Sequence, residues 1–276
     1  MPAVKHPNLV SVVVPCYRGA KYLRAAVESC LRQTYPHVEV IVVDDRSPDR
    51  DAEIAAEIAA RDPRVRVVRR EANGGICRAL NSGYEVAHGE FFTRLAQDDL
   101  FREDALDILV RTLRATPAAG LAYADMQLID ENGAVIQPMR TAPPERALLP
   151  ANRVGLCVMW RRAAWDAVGP FDPKFDLCDD YEFFLRLSRN FPLVRAEGEA
   201  PFFFRYHAEQ GSRTKERAHD LARARVHLAH NAAMLRRHPA RLIYWKRLVT
   251  GRLRLWATRL GIYQRIKYDG RQAPVK

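Results

Sequence analysis

At 276 residues the chain can bury a full core; it is large for one domain and small for two. A hydrophobic content of 48% with 28% charged residues excludes a disordered chain, and no run approaches the roughly 18 uncharged apolar residues of a spanning helix. The net charge of +11 is concentrated: Asp220 to Lys276 carries 14 Lys/Arg against 2 Asp/Glu, whereas the other 219 residues carry 30 against 31, a poor description of a uniformly basic nucleic-acid-binding surface.

Leu9-Val10-Ser11-Val12-Val13-Val14 is a continuous β-branched run, as in a strand buried on both faces of a parallel sheet. It stops at Pro15-Cys16-Tyr17-Arg18-Gly19, and Leu23, Val27, Cys30 and Leu31 then recur at helical spacing. Val38 to Val43 predicts a second buried strand, ending in Asp44-Asp45-Arg46-Ser47. A helix from about Asp51 to Ala60 and a strand over Val65 to Arg69 complete a β-α-β-α-β unit, which predicts an α/β fold with a doubly wound, mostly parallel sheet. Asn73-Gly74-Gly75-Ile76 leads into another helix, where two glycines could let the backbone approach a phosphate at a helix N-terminus.

The stretch Gly89 to Asp99 is the centre of the pattern: an apolar, β-prone run that ends in two adjacent carboxylates. Ligands of open α/β sheets bind beyond the carboxyl ends of the strands, so Asp98 and Asp99 are expected at the mouth of the sheet. Paired hard oxygens there suit a divalent cation such as Mg²⁺; Asp98-Asp99 as a simple helix cap is the equal alternative. A helix through Leu106 to Leu113 follows, then a strand over Leu121 to Asp125. Asp130-Glu131-Asn132-Gly133 reads as a hairpin turn, Gln137 to Pro150 as a mobile loop and Leu156 to Trp160 as a strand. Arg162 to Val168 is a short helix, and Asp179-Asp180 opens another with an acidic first turn. Phe202 to His207 is a late strand.

From about Lys215 the chain is expected to be helical and basic, which divides it into residues 1–214 and a C-terminal extension of residues 215–276. Leu242, Trp245, Val249, Leu253, Trp256, Leu260 and Tyr263 make one apolar stripe; Arg241, Lys246, Arg247, Arg252, Arg254 and Arg259 crowd its other faces. Either the stripe packs on the body, or the helix lies on an anionic membrane surface with Trp and Tyr at the headgroup level. Met1 to Asn8 has no apolar segment of signal-peptide length, and five cysteines without paired spacing suit a reducing compartment. A cytoplasmic protein, with possible peripheral attachment to the inner face of the plasma membrane, is the expectation.

The ordered set Val12 to Tyr17, Val42 to Ser47, Asn73-Gly74-Gly75-Ile76, Gln97-Asp98-Asp99 and Asp179-Asp180 resembles the family 2 glycosyltransferases, over roughly Leu9 to His207. The resemblance implies a Rossmann-like, GT-A type fold and inverting, metal-dependent transfer of one sugar from a nucleotide-diphosphate sugar. The acceptor would be a carbohydrate or lipid-linked hydroxyl, in cell-surface polysaccharide or glycoconjugate synthesis. It places Tyr17 beside the nucleotide base, with Pro15 shaping the turn at the nucleotide-sugar site, and Asp45 or Asp44 as acceptor from the base. Asn73 and Arg78 would lie near the base or ribose, and Asp98 would contact the ribose or sugar. Asp99, with His207, would ligate Mn²⁺ or Mg²⁺; Asp180 would be the general base and Asp179 its support.

Three departures stand out. Ala96 replaces an acidic residue common two positions before Asp98, Leu80 stands where many relatives carry arginine, and no Gln-x-x-Arg-Trp motif follows Asp180. The last favours single-residue transfer.

The chemistry needs these parts. A sugar hydroxyl attacks poorly unless a carboxylate takes its proton, and Asp180 in a first helical turn is expected to be held ionised by the helix dipole. A cation would neutralise charge on the leaving diphosphate. The main alternative is a catalytically degenerate domain that binds nucleotide-sugar or a partner without turnover. A nucleotidyltransferase is disfavoured, since no Gly-rich, Lys/Arg-containing triphosphate loop follows the first strand.

Overall fold

A computed structural model describes residues 6–149, 151–198, 200–208, 210 and 216–259. Strands β1 (His6–Cys16), β2 (Val38–Asp44), β3 (Val65–Arg69) and β4 (Gly89–Arg94) run parallel and are joined by α1 (Leu23–Leu31), α2 (Asp51–Ala59) and α3 (Ile76–Val86). The chain continues through β5 (Leu100–Phe101), α4 (Ala105–Ala115), β6 (Leu121–Tyr123), β7 (Met126–Ile129) and β8 (Val135–Met139). After these come β9 (Val158–Arg161), α5 (Arg162–Val168), α6 (Asp179–Leu187), β10 (Leu193–Arg195) and β11 (Phe202–Arg205). Helices α7 (Glu216–Arg237) and α8 (Leu242–Arg259) close the described chain. The main sheet has the order β10-β6-β9-β4-β1-β2-β3, with β9 antiparallel to both neighbours. A second sheet has the order β5-β11-β7-β8, its strands interleaved along the chain with those of the first.

Period-two alternation sends successive β1 side chains to opposite faces. Val10, Val12 and Val14 join one buried cluster with Leu23, Val27, Ile54 and Leu109, contributed by α1, α2 and α4. Val13 joins the other, with Leu80, Tyr84, Phe92, Trp160 and Phe183. Both faces of the sheet are therefore covered by helices, as the continuous β-branched runs require. All five cysteines are buried and unpaired.

Two expectations change. The segment from Gln137 to Pro150 is not a free loop over its described length. Gln137 to Met139 belong to β8, and Thr141, Ala142 and Ala147 are buried. Asp125, just beyond β6, fastens it: Oδ1 accepts from Thr141 N at 2.9 Å, Thr141 Oγ1 at 2.7 Å and Arg195 Nη2 at 2.7 Å, while Oδ2 accepts from Arg140 Nη1 at 2.9 Å. Pro150 itself lies outside the described residues. Strand β10 was not expected: three residues are too few for a periodic signal, and pairing with β6 creates the strand.

The boundary expected at 214/215 falls outside the described residues. Beyond it, α7 packs on α6: Ala222 and Val226 belong to the same buried cluster as Phe183, and Tyr181 Oη lies 3.2 Å from His227 Nε2. Helix α8 turns Tyr244 inward and brings Gly251 close to Leu228, while its apolar stripe faces outward. The stripe is therefore not packed on the body. Leu260 and Tyr263 lie outside the described residues, as do the side chains of Arg254 and Arg259.

Candidate active site

A cleft of about 360 Å³ opens at the carboxyl ends of β1, β2 and β4, the place the doubly wound topology reserves for ligands. Pro15, Tyr17, Asp45, Asn73, Gln97 and Asp98 line it, with Gly75, Asp176 and Leu177 on the side towards α6. Five of the expected nucleotide-sugar residues, Pro15, Tyr17, Asp45, Asn73 and Asp98, thus line one cleft. Tyr17 stands at the mouth, 39% exposed, with the Arg18 guanidinium 5.4 Å from its ring centre. An aromatic packed into the core at a strand end would be buried; this ring is available to a ligand.

The loop carrying Tyr17 is held from across the cleft. Gln97 Oε1 accepts from Tyr17 N at 2.7 Å, and Gln97 Nε2 donates to Tyr17 O at 3.0 Å. A Cβ at Gly19 would lie 2.1 Å from Gln97 Cδ, so this closure needs glycine there. Arg18 and Arg46 adopt left-handed backbone conformations, and Arg18 N donates to Ser47 Oγ at 2.7 Å, tying the β1 and β2 loops together. Such conformations persist where the surroundings over-determine them, typically beside ligand sites.

Between Asp44 and Asp45, only Asp45 lines the cleft. Asp44 is fully buried; Oδ1 accepts from Ser47 N at 2.8 Å, and Oδ2 is 3.2 Å from Arg69 Nε without a hydrogen bond to it. Asp45 accepts from Gly74 N at 3.1 Å and Gly75 N at 2.9 Å, and pairs with Arg70. Asp176 Oδ1 accepts from Cys77 N at 2.9 Å. Gly75 has φ of +85°, and a Cβ there would meet Asp176 Oδ2 at 2.2 Å. These carboxylates accept from three backbone N–H groups of the glycine turn and the start of α3, those of Gly74, Gly75 and Cys77. Arg78 is exposed, bonds Gly74 O at 3.1 Å and does not line the cleft.

The Asp98-Asp99 pair divides in two. Asp98 faces the cleft, and its Oδ2 lies 2.9 Å from His207 Nε2. Asp99 is 1% exposed, and its Oδ1 accepts from Arg205 N at 2.9 Å. Burial, then the neighbouring Asp98 charge, pushes its carboxyl well above the usual range. The expected direct metal ligand is thus the inward member of the pair: the chain turns after β4, with Asp99 N donating to Ala96 O at 3.1 Å, and the Asp99 side chain faces the buried Arg205 backbone. Among the described residues no three His, Cys, Asp or Glu side chains converge on a metal position. Asp98 and His207 nevertheless fit a cation completed by donor phosphates, since Mg²⁺ commonly takes one or two protein ligands. The carboxylate of Asp98 also suits Mn²⁺.

Asp180 is half-buried at the start of α6, just beyond Asp176 and Leu177. Its Oδ2 accepts from Asn152 Nδ2 at 2.9 Å and its Oδ1 from Tyr181 N at 2.7 Å. The dipole does not dominate as expected: burial, then the Asp179 charge, raises its pKa, and Arg94 opposes the rise. Asp179 is buried and paired with Arg94 at the end of β4.

Four residues that hold the candidate site together were not among the sequence expectations. Arg94 joins the β4 end to α6, and Asn152 orients Asp180. Asp176 closes the start of α3. Arg205 is 5% exposed; its Nε donates to Asp98 O at 2.8 Å, and its Nη1 donates to Asp130 O at 3.2 Å and Glu131 O at 3.0 Å. Arg94 and Arg205 carried one signal, a charged residue at the end of an apolar strand. Asn152 and Asp176 carried none.

Comparison with known proteins agrees with this geometry. The profile described as "Glycosyl transferase family 2" matches residues 11–153, more than half of the chain. An uncharacterised glycosyltransferase of Rickettsia felis is 30% identical over 215 residues, 74% of this chain; the chain spans about a third, 35%, of that relative. Staphylococcus aureus TarS 1–349 in complex with UDP-GlcNAc is similar at a TM-score of 0.66 and 18% identity, covering 93% of this chain and 88% of that one. A mannosyltransferase of Pyrobaculum calidifontis in complex with GDP-Man and Mn²⁺ gives a TM-score of 0.62 and 18% identity, covering 99% and 79%. At those identities the structures speak to the fold, which is the GT-A type. The chain belongs to glycosyl transferase family 2.

Proposed function

We propose that the chain transfers a single sugar, with inversion, from a nucleotide-diphosphate sugar to a hydroxyl of a carbohydrate or lipid-linked acceptor. The observation that carries this reading is the convergence of Tyr17, Asp45, Asn73 and the Asp98–His207 pair on one strand-end cleft. Tyr17 offers a ring to the base, and Asp45 and Asn73 offer polar atoms to base or ribose. Asp180 accepts the acceptor hydroxyl proton as the new glycosidic bond forms at the anomeric carbon and the bond to the diphosphate breaks. Its raised pKa brings its basicity nearer neutral pH than that of an ordinary carboxylate. Asn152 and Arg94 hold it in place, Arg94 through Asp179. Asp98 and His207 would hold a divalent cation, Mn²⁺ or Mg²⁺, which would neutralise the charge on the leaving diphosphate.

UDP-GlcNAc and GDP-Man in the complexes of structural neighbours support a nucleotide-sugar donor. Five buried, unpaired thiols support a cytoplasmic location. The test is Asp180→Asn: donor binding by calorimetry stays at the level of the parent chain, and transfer is lost. Normal transfer by that variant contradicts the assignment of the base, and binding without transfer by the parent itself indicates a degenerate domain.

A further inference from the structure

Helix α8 buries the wrong amount of itself for a helix that merely packs on the body. Leu242 is 81% exposed, Trp245 54%, Val249 57%, Leu253 60% and Trp256 59%. At 3.6 residues per turn these five side chains fall within an arc of about 80°. The opposite side carries Tyr244, Leu248, Gly251 and Leu255, which are buried or half-buried where α8 meets α7. The helix thus has two apolar faces, and only one is covered among the described residues.

Exposed basic side chains flank the unused face: Arg252 on one edge, with Arg241 just before the helix on the same side, and Lys246 on the other. No acidic residue lies anywhere in α8. Two tryptophans three turns apart stand among the aliphatic side chains, and their amphipathic rings suit the headgroup level of a bilayer. No helix among the described residues is long and apolar enough to cross a membrane. An isologous pairing of two copies through this face would set its basic edges against each other with no acidic partner in α8. An anionic lipid surface instead complements both the apolar arc and its edges.

We propose that α8 is an interfacial helix that seats the protein on an anionic lipid surface, with Leu242, Trp245, Val249, Leu253 and Trp256 entering the acyl boundary and Arg241, Lys246 and Arg252 meeting lipid phosphates. This surface is separate from the strand-end cleft and stands whether or not the cleft transfers sugar.

The experiment is flotation of the full chain with vesicles of phosphatidylcholine alone, and of phosphatidylcholine and phosphatidylglycerol in equal parts. The chain floats with the mixed vesicles and not with phosphatidylcholine alone, and added salt weakens binding. The double variant Lys246→Gln/Arg252→Gln loses about thirtyfold in partition coefficient, as expected for two basic side chains at an anionic surface. The double variant Trp245→Ser/Trp256→Ser, altered only at exposed positions, keeps the parent melting temperature and no longer floats. Absence of flotation by the parent chain, or equal flotation by the tryptophan variant, overturns the proposal. So does a dimer in vesicle-free sedimentation that the tryptophan variant splits, since a second copy would then cover the face.

Discussion

Arg94, the last residue of β4, donates from Nη1 to Oδ2 of Asp179, the first residue of α6. Both side chains are largely buried, at 16% and 10% exposure. The pair fixes the helix bearing Asp180 to the strand that leads to Asp98. It thus sets the placement of the proposed base relative to the proposed cation ligands.

Removing one member of a buried pair leaves the other charge uncompensated, which costs about 3 to 5 kcal/mol. Arg94→Met is therefore expected to be destabilised by that amount in chemical denaturation. Arg94→Met/Asp179→Leu recovers much of the loss, because no unpaired charge remains. Arg94 also opposes the rise of the Asp180 pKa, so the acidic limb of the transfer rate moves to higher pH in Arg94→Met.

The raised pKa of Asp180 has opposite consequences for activity and stability. Burial and Asp179 favour its protonated form, so the activity that needs the carboxylate is lost as pH falls through a value above about 4, the ordinary carboxylate figure. A folded pKa above the unfolded one means stability is highest below the unfolded value and declines as pH rises through the folded value. Asp180→Asn removes that ionisation. It is expected to melt above the parent at neutral pH while lacking transfer activity, with the difference vanishing in acid. A lower melting temperature at neutral pH contradicts the burial argument.

The divided roles of the carboxylate pair give a direct contrast. Asp98→Ala and His207→Ala each weaken metal-supported donor binding by at least about tenfold. Asp99→Asn keeps an acceptor for Arg205 N and leaves metal dependence near that of the parent. Titration of Mn²⁺ against donor binding in the three variants distinguishes this from a site centred on Asp99.

Asp125 is expected to contribute to acid stability. Hydrogen bonds from Thr141, Arg195 and Arg140 outweigh its burial and hold its pKa down to about 2. Its contribution is fully present above the unfolded carboxylate value and is lost as pH falls from about 4 towards about 2. Asp125→Asn should flatten the stability profile across that window, and an unchanged profile counts against the anchoring role.

The sheet was readable because buried parallel strands are continuous β-branched runs, as in Val12 to Val14 and Val40 to Val43. Strand ends then located the segments carrying Tyr17, Asp44-Asp45 and Asp98-Asp99, and the resemblance to family 2 glycosyltransferases assigned their roles. Orientation was harder. Which of Asp98 and Asp99 turns inward depends on Arg205, more than 100 positions later, and Asn152 meets Asp180 only through the fold. The short β10 and the fastening of Thr141 by Asp125 likewise arise from tertiary pairing. The stripe of α8 was legible as a period, but its outward direction was not, since Tyr244, Leu248 and Leu255 make a second apolar face on the same helix.

The most direct test of the account is a panel of nucleotide-sugars, each assayed for binding and for slow release of nucleoside diphosphate with and without Mn²⁺ or Mg²⁺. The account predicts that one donor binds and is turned over in a metal-dependent way, and that Asp98→Ala abolishes the dependence. Failure of every donor to bind under either condition contradicts it.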